Sequence, residues 1–399
     1  MNDELINGDG AEAKSSNNKT KYLIIFLISF ILIAGLVVLL FFLLRGKDKN
    51  DEDDEDGEKE EEICLDFDDQ TNECLKCNSK YYLVEGICKS YSFMAIYSNE
   101  NQEEEIQLIN DAFRAYIGGM YMNNSNIDIK TSYTFSSIGN HTIYFYLNIS
   151  SMDSLQSMLY KVEKMISINF SPEFNTKNIK SMNNMFSSCI SLKSLNLSTL
   201  NTSSVTNMAS MFYNSSSLVS INFGKFDTSK VTDMAGMFIY CNSLIILDLS
   251  KFKTSNVIAM NSLFSGCSSL TSINLSNFNT SSVTTMFSMF SDCKALTSIN
   301  LSSFDTSRVT NMINMFGFSS FNALDLSNFN TSSVTDMTNM FGGCRSLTSL
   351  DVSKFDTSKV TKMQVMFQLC SSLTSIDVSS FDILQMLKIC MSCLMNVLP

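Results

Sequence analysis

The sequence predicts an α/β solenoid, in which short parallel strands and short helical turns alternate and stack along one axis. Three observations predict it. A unit of about 26 residues recurs through residues 165–399, each unit opens with apolar residues at alternate positions, and each continues with apolar residues spaced by three. Such a period is typical of repeats that bury a shared core only when they stack. The phase is marked by a Met-Phe or Leu-Phe pair that begins at Met185, Met211, Met237, Leu263, Met289, Met315, Met340 and Met366.

Each unit divides into two halves. The first, L-x-S-[LI]-[ND]-[LV]-S, has the alternation of a short strand. The second, T-S-x-V-T-x-M-x-x-[ML]-F-x-x-C, predicts a short helical or 3₁₀ turn that a Ser or Thr can cap. Methionine and cysteine recur at fixed phases, and we interpret them as core filling rather than as a metal or haem site. In one unit the residues expected to face inward are Leu218, Ile221, Phe223, Phe226, Val231, Met234, Met237, Phe238 and Cys241.

Three segments without repeats come first. Residues 1–21 are polar and are predicted to be a cytoplasmic tail. Residues 22–44 carry no charge and are long enough to cross a bilayer as one helix. Arg45–Lys47 follow instead of a small-residue cleavage site, so we predict an uncleaved transmembrane signal anchor. Residues 45–62 are predicted to be an acidic spacer.

The net charge of −12 comes mainly from the acidic run Asp48–Glu62. A run of like charges is most simply a solvated spacer, although a cation or a partner could bind it. The long C-terminal part of the chain is close to neutral and shows no basic face, so no nucleic-acid partner is expected.

Four cysteines follow the acidic run, and we predict a cysteine-rich module over residues 63–90. Cys64, Cys74, Cys77 and Cys88 have the spacing C-x9-C-x2-C-x10-C. So short a segment cannot bury a core of its own and needs disulfide bonds or a bound metal ion to hold its fold. Disulfides are one interpretation, a four-cysteine zinc site is a second, and free thiols are a third.

Disulfides would place the part of the chain after the anchor outside the cytosol. Basic residues flank both sides of the anchor, so the flanking charge gives no orientation by itself. The prediction is therefore a single-pass type II plasma-membrane protein with an extracellular C-terminal part. Sequons of the form N-x-[ST] agree, and the glycosylation candidates are Asn123, Asn140, Asn148, Asn214 and Asn330.

Two family resemblances rest on these motifs. The cysteine segment resembles the furin-like or growth-factor-receptor cysteine-rich modules, which implies the pairs Cys64–Cys77 and Cys74–Cys88. Units of the form MFxxCxSLTSLDLSxFDTSxVTNM resemble the repeats of the BspA-type leucine-rich repeat surface proteins. That family includes bacterial adhesins, mycoplasma lipoproteins and surface proteins of anaerobic protists. Residues 91–164, including YTFSSIGNHTIYF, look like a small β-rich N-terminal cap of such proteins. The resemblance implies a curved leucine-rich-repeat-type solenoid that is displayed at the cell surface for adhesion or host contact.

The exposed strand positions are the candidate binding face. Their side chains could hydrogen-bond up and down the stack, or they could form a polar docking face for an extracellular protein or glycan. The second interpretation predicts a membrane-anchored surface protein for adhesion. The alternative is a structural coat component that self-associates through solenoid packing, and a receptor-like sensor is a third hypothesis. The face consists of Asn196, Asn222, Asp248, Asn274, Asn300, Asp325, Asp351 and Asp377.

Neither enzymatic activity nor a cofactor is predicted. His141 is the only histidine, so any Ser-His or Cys-His nucleophile pair would have to use it. The repeats contain no phosphate-binding glycine loop and no metal-ligand spacing.

The final unit departs from the repeat at about residue 383. One permitted codon choice for Leu384–Pro399, translated from two nucleotides later, restores Ser-Asn-Val-Lys-Asn-Met-Tyr-Val-Met-Phe. The restored Met-Phe pair would follow Met366 by 26 residues, which is the period of the repeat. We therefore hypothesise that this tail is the frameshift product of a longer gene or of a faulty gene model.

Overall fold

The computed structural model describes most of the chain after the acidic run, as one compact unit, Glu62–Pro399. The described residues are 64–68, 70–71, 73–78 and 81–382. Four predicted segments lie outside them, namely the tail at 1–21, the anchor at 22–44, the spacer at 45–62 and the degenerate end from 383.

Two antiparallel hairpins form the cysteine-rich module. Strand β1 (Cys64–Asp68) pairs with β2 (Glu73–Cys77), and β3 (Tyr81–Val84) pairs with β4 (Ile87–Ser90). Glu85 and Gly86 connect the second hairpin with φ angles of 49° and 73°. Positive φ at both central residues is the turn geometry that two-residue hairpins favour, and glycine adopts it without steric cost.

The cap is built mainly from strands. Its order along the chain is β5 (Phe93–Asn99), β6 (Glu105–Gln107), a 3₁₀ helix (Asp111–Tyr116), β7 (Ile117–Met122), β8 (Ser125–Asn126), β9 (Ser132–Thr134) and β10 (Gly139–Leu147). Residues in β5 alternate between buried and partly buried, as the pleat of a strand requires. β11 (Met165–Phe170) then leads into the repeats.

The repeats form stacked coils, and six coils carry a short strand. These are β12 (Ser194–Asn196), β13 (Ser220–Asn222), β14 (Ile246–Asp248), β15 (Ser272–Asn274), β16 (Ala323–Leu324) and β17 (Ser349–Leu350). Parallel pairs join β12 to β13, β14 to β15 and β16 to β17. β11 is parallel to β12 and antiparallel to β5, so cap and coils share one seven-stranded sheet in the order β13-β12-β11-β5-β10-β7-β8.

A second ladder of single parallel bridges runs along the coils at another side. It begins at Ser154, within the segment expected to be the cap, so residues before β11 already form a coil. The bridged residues are, in order, Ser154, Ser181, Asn207, Asp233, Ala259, Thr285, Asn311, Asp336 and Lys362.

The predicted α/β class with helical turns is wrong. Among the described residues, the 3₁₀ helix Asp111–Tyr116 is the only helix, and the second half of each coil consists of turns. Alternate N–H groups there donate to the next coil, as Phe186 does to the Met211 carbonyl at 2.9 Å. The N–H groups between them close turns, as Met185 does onto the Met182 carbonyl. An α-helix would bond every N–H four residues back along its own axis and so remove this link between coils.

The backbone conformation of the turns also excludes a helix. Two residues in each coil, four apart, have positive φ, for example Asn184 at 56° and Ser188 at 60°. A left-handed residue every few positions interrupts a right-handed helix. The pairs are Ser157/Lys161, Asn184/Ser188, Ser210/Asn214, Gly236/Tyr240, Ser262/Gly266, Ser288/Asp292, Asn314/Phe318, Asn339/Gly343 and Val365/Leu369.

The core lies inside the coils and matches the predicted inward residues. Those of the unit that begins at Leu218 are buried, with Ile221 partly exposed. One phenylalanine per coil stacks on its equivalent in the next coil, with ring centroids 5.5–5.8 Å apart. The stacked rings are Phe186, Phe212, Phe238, Phe264, Phe290, Phe316, Phe341 and Phe367.

A ladder of buried threonines also ties the coils together. Thr228 Oγ1 donates to the Lys253 carbonyl at 3.0 Å and accepts from the Lys253 N–H at 2.7 Å. The hydroxyl thus satisfies two backbone groups of the following coil, which an apolar side chain could not do. The same two bonds are made by Thr176, Thr202, Thr254, Thr280, Thr306 and Thr331.

No helix in the part of the chain that the structure describes is long and apolar enough to cross a membrane. The predicted transmembrane anchor at 22–44 falls outside that part. The structure therefore does not support the predicted single-pass type II localisation, nor a membrane as a partner.

Candidate binding surface

The eight Asn and Asp residues of the predicted binding face occupy equivalent positions in their coils. All are exposed, and each ends the strand half of its coil. The parallel pairing sets Asn196 opposite Asn222 and Asp248 opposite Asn274. They therefore form a column on the outer face of the stacked coils, as the period predicts.

The side chains of this column bond within their own coil rather than along the stack. Asp248 Oδ1 accepts the N–H of Ser250 at 2.9 Å, and the other seven side chains accept the N–H two residues later at 2.9–3.1 Å. This is the Asx turn, which ends a strand and starts the following bend. The column thus has a local structural role, and its use as a ligand-binding face stays a prediction.

The carboxylates of the column are held in their charged form. Hydrogen bonds from the Ser250 N–H and hydroxyl hold the pKa of Asp248 below its usual value of 3.8. Equivalent bonds from Ser327, Ser353 and Ser379 lower the pKa of Asp325, Asp351 and Asp377. Bonds that favour the ionised form lower a carboxyl pKa, so these four carboxylates stay ionised to a lower pH than a free aspartate would.

An apolar cluster interrupts the polar surface of two neighbouring coils, and it was not among the predicted binding residues. The cluster comprises Val219, Ile245 and Ile246, whose exposed fractions are 43%, 48% and 66%. Thr271 and Ser272 occupy the phases of Ile245 and Ile246 in the next coil. The signal was present in the sequence, because L-I-I-L-D-L replaces the L-T-S-I-N-L of that coil.

The four cysteines of the module form two disulfides. Cys64 pairs with Cys74 and Cys77 pairs with Cys88, which differs from the pairing that the family resemblance implied. The first bond lies within the β1–β2 hairpin, where the Cα atoms of Cys64 and Cys74 are 5.8 Å apart, and the second joins β2 to β4 and so links the two hairpins. The sulfurs of Cys64, Cys74 and Cys88 also lie together, but disulfide sulfur is not the thiolate that zinc binds.

The repeat cysteines are buried thiols that hydrogen-bond between coils, so they do more than fill space. Cys241 Sγ donates to the Phe212 carbonyl at 3.1 Å, and Ser215 donates in the same way to the Phe186 carbonyl. Burial raises the pKa of Cys267 and Cys344 to about 12, so both thiols stay protonated donors. The need for a small donor explains why serine replaces cysteine in some coils.

His141 lies in β10 and has local partners. Its Nε2 is 3.0 Å from Asn99 Oδ1 and 2.9 Å from the Ser137 carbonyl oxygen, and its ring stacks on Phe135 at a centroid distance of 3.8 Å. This environment fixes the position of the imidazole against the cap core.

The glycosylation candidates divide into cap and coil positions. In the cap, Asn123 lies in the turn before β8, Asn140 in β10 and Asn148 just after β10, and all three are exposed. In the coils, Asn214 is half-buried, and Asn330 is exposed but accepts the Ser332 N–H in an Asx turn. Whether any of them carries a glycan stays a prediction.

The comparisons with known proteins give one match. The model of a family described as "Mycoplasma protein of unknown function, DUF285" matches residues 129–238, 219–319 and 297–393. The matches overlap and together span residues 129–393, more than half of the chain. This family is compatible with a repeat-bearing surface protein. The comparisons gave no match among the curated proteins or the solved structures.

Proposed function

Because the chain belongs to the family described as "Mycoplasma protein of unknown function, DUF285", we propose that it is an extracellular surface protein whose coils bind another protein. The finer assignment to the BspA-type leucine-rich repeat adhesins is part of this proposal and rests on the motif of the repeat. Two disulfides support an extracellular location, because such bonds persist in oxidising compartments. The proposal includes no catalytic step.

One observation carries the proposal, namely the apolar cluster of Val219, Ile245 and Ile246 on the outer face of two neighbouring coils. Single exposed apolar residues are common on protein surfaces, but adjoining ones within a polar surface mark interaction sites. The side chains of the neighbouring Asn and Asp column are tied into Asx turns. An apolar centre with a polar rim is the usual arrangement of a protein–protein interface.

The experiment measures binding of the fluorescently labelled full chain to foreign cells and to extracellular matrix. The test variant, Val219→Thr/Ile245→Thr/Ile246→Ser, carries residue types that other coils have at these phases, so its fold should be unchanged. The control variant, Thr348→Ala/Ser349→Ala, changes the same two phases in a distant coil. We expect the wild type and the control to bind, and the test variant to lose most of the binding.

Sedimentation velocity of the same proteins tests the coat alternative. A wild type that binds neither cells nor matrix, but assembles into arrays that the test variant cannot form, would favour a structural coat. Binding that the test variant retains would refute the proposed interface.

A further inference from the structure

A groove at the cap end of the molecule combines aromatic rings with polar side chains. It has a volume of about 420 Å³ and lies where the β3–β4 hairpin, the end of β10 and the start of the coils meet. Tyr81, Tyr91 and Tyr146 are among the residues that line it. Ligand sites are usually concave and often lie where structural units meet.

The ring of Tyr146 is exposed, yet the backbone is shaped to hold it. Its side chain is 39% exposed, and its Cδ1 would lie 2.7 Å from a Cβ on Gly118. Gly118 is inside β7 and is not among the glycines with positive φ, so no turn requires it. Because glycine weakens a strand interior, its presence there is best explained by the need to seat this ring.

Three polar groups in the groove are available to a ligand. The Tyr81 hydroxyl, the Glu173 carboxylate and the Asn178 amide make no hydrogen bond with any residue that the structure describes. Glu173 and Asn178 are exposed. Together the three groups supply acceptors and donors around the rings.

We propose that this groove binds a short neutral oligosaccharide. A pyranose ring presents an apolar C–H face that can stack on Tyr146, and hydroxyls that can donate to Glu173 and bond Asn178 in either direction. Among the described residues that line the groove there is no lysine, arginine or histidine, so none of them would compensate an anionic ligand. The carboxylate of Glu173 further disfavours acidic sugars.

This inference goes beyond the proposed function. The groove belongs to the cap end, whereas the apolar cluster lies on the coils, so each site can fail its test while the other passes. The Val219→Thr/Ile245→Thr/Ile246→Ser variant should therefore bind sugar like the wild type.

The test is saturation-transfer NMR with the full chain and glucose-, galactose-, mannose- and N-acetylglucosamine-based tetrasaccharides. Production in a bacterial host keeps Asn148, a sequon residue in the groove wall, unmodified. The chain has 13 tyrosines and no tryptophan, so tyrosine fluorescence can follow the titration of a bound sugar. We expect at least one tetrasaccharide to bind through its ring protons.

Matched variants locate the site. Tyr146→Ala should weaken binding ~10-fold, the effect of losing one aromatic contact. Tyr146→Phe should keep binding, because it keeps the ring and shows that the site still folds. Tyr213→Ala is the control, since Tyr213 is a similarly exposed tyrosine on the coils, 36% exposed. Glu173→Gln should also weaken binding, and Gly118→Val should do so by displacing the ring.

Three results would overturn the inference. The first is that no tetrasaccharide binds the wild type. The second is that Tyr146→Ala and Tyr213→Ala have equal effects, which would place binding elsewhere. The third is that a lysine-rich peptide occupies the groove and excludes every sugar, which would make Glu173 part of a peptide site.

Discussion

Replacement of Thr228 by valine would test how the coils are held together. Thr228 is fully buried, and valine has nearly the same shape but no hydroxyl. The change removes the bond to the Lys253 carbonyl and the bond from the Lys253 N–H. It leaves the core volume unchanged, so a loss of stability can be assigned to these two backbone groups.

The magnitude follows from the two partners left without a bond. A backbone group deprived of its partner inside a protein costs about 1–3 kcal/mol, so for two such groups we expect Thr228→Val to lower the free energy of unfolding by about 2–6 kcal/mol. Thr232 in the same coil is the matched control, because its exposed hydroxyl makes a single bond, to the Thr206 carbonyl at 3.2 Å. Thr232→Val should cost ~0.5 kcal/mol or less, since water can replace that bond.

Urea denaturation followed by circular dichroism gives both values. Hydrogen exchange on the same variants shows whether the loss is confined to the coils beside Thr228, because repeat stability is a sum of neighbour terms. Equal costs for Thr228→Val and Thr232→Val would refute the role assigned to the buried ladder.

Three further predictions concern single groups. The thiols of Cys267 and Cys293 should resist iodoacetamide in the folded protein and react after unfolding, because both are buried and protonated. Peptide mass spectrometry measures the alkylation, and alkylation of the native protein would contradict their buried placement. Val365 has φ 53°, which a β-branched residue rarely adopts. Val365→Asn, which matches Asn339 of the preceding coil, should therefore raise the free energy of unfolding by ~1 kcal/mol in urea titrations. A lower urea midpoint for this variant would contradict the claim that the valine backbone is strained. The pKa values of Asp248, Asp325, Asp351 and Asp377 are lowered in the folded state, so their contribution to stability is present above their usual value of 3.8 and is lost as the pH falls through the lowered values. Urea midpoints that stay constant through this acid range would contradict the Asx bonds.

The period and the inward residues could be predicted because burial depends on spacing alone. The spacing of Met234, Met237 and Phe238 places them in one core whether the backbone between them forms a helix or turns. The choice between helix and turns depends instead on where each N–H finds its acceptor. In these coils the acceptor of Phe186 is Met211 in the next repeat, which no local pattern reveals.

The candidate site was predictable only in part, for a similar reason. The column that contains Asn222 and Asp248 was placed correctly on the exposed face, but the bond from the Ser250 N–H gives Asp248 a local role. The sequence shows Ile245 and Ile246 as a departure from the repeat, but only their exposure in the structure identifies them as surface rather than core residues. The disulfide pairing could not be derived, since it depends on how the β1–β2 and β3–β4 hairpins are placed in three dimensions.

The central claim is that the Asn and Asp column stabilises the fold and that the apolar cluster of Val219, Ile245 and Ile246 binds the partner. The most direct test compares two variants of the full chain in one cell-binding assay. One is Val219→Thr/Ile245→Thr/Ile246→Ser, and the other is Asn222→Ser/Asp248→Ser/Asn274→Ser. We expect the first variant to lose most of the binding, and the second to have lower thermal stability but still to bind. Loss of binding in the folded second variant, with binding retained in the first, would contradict it.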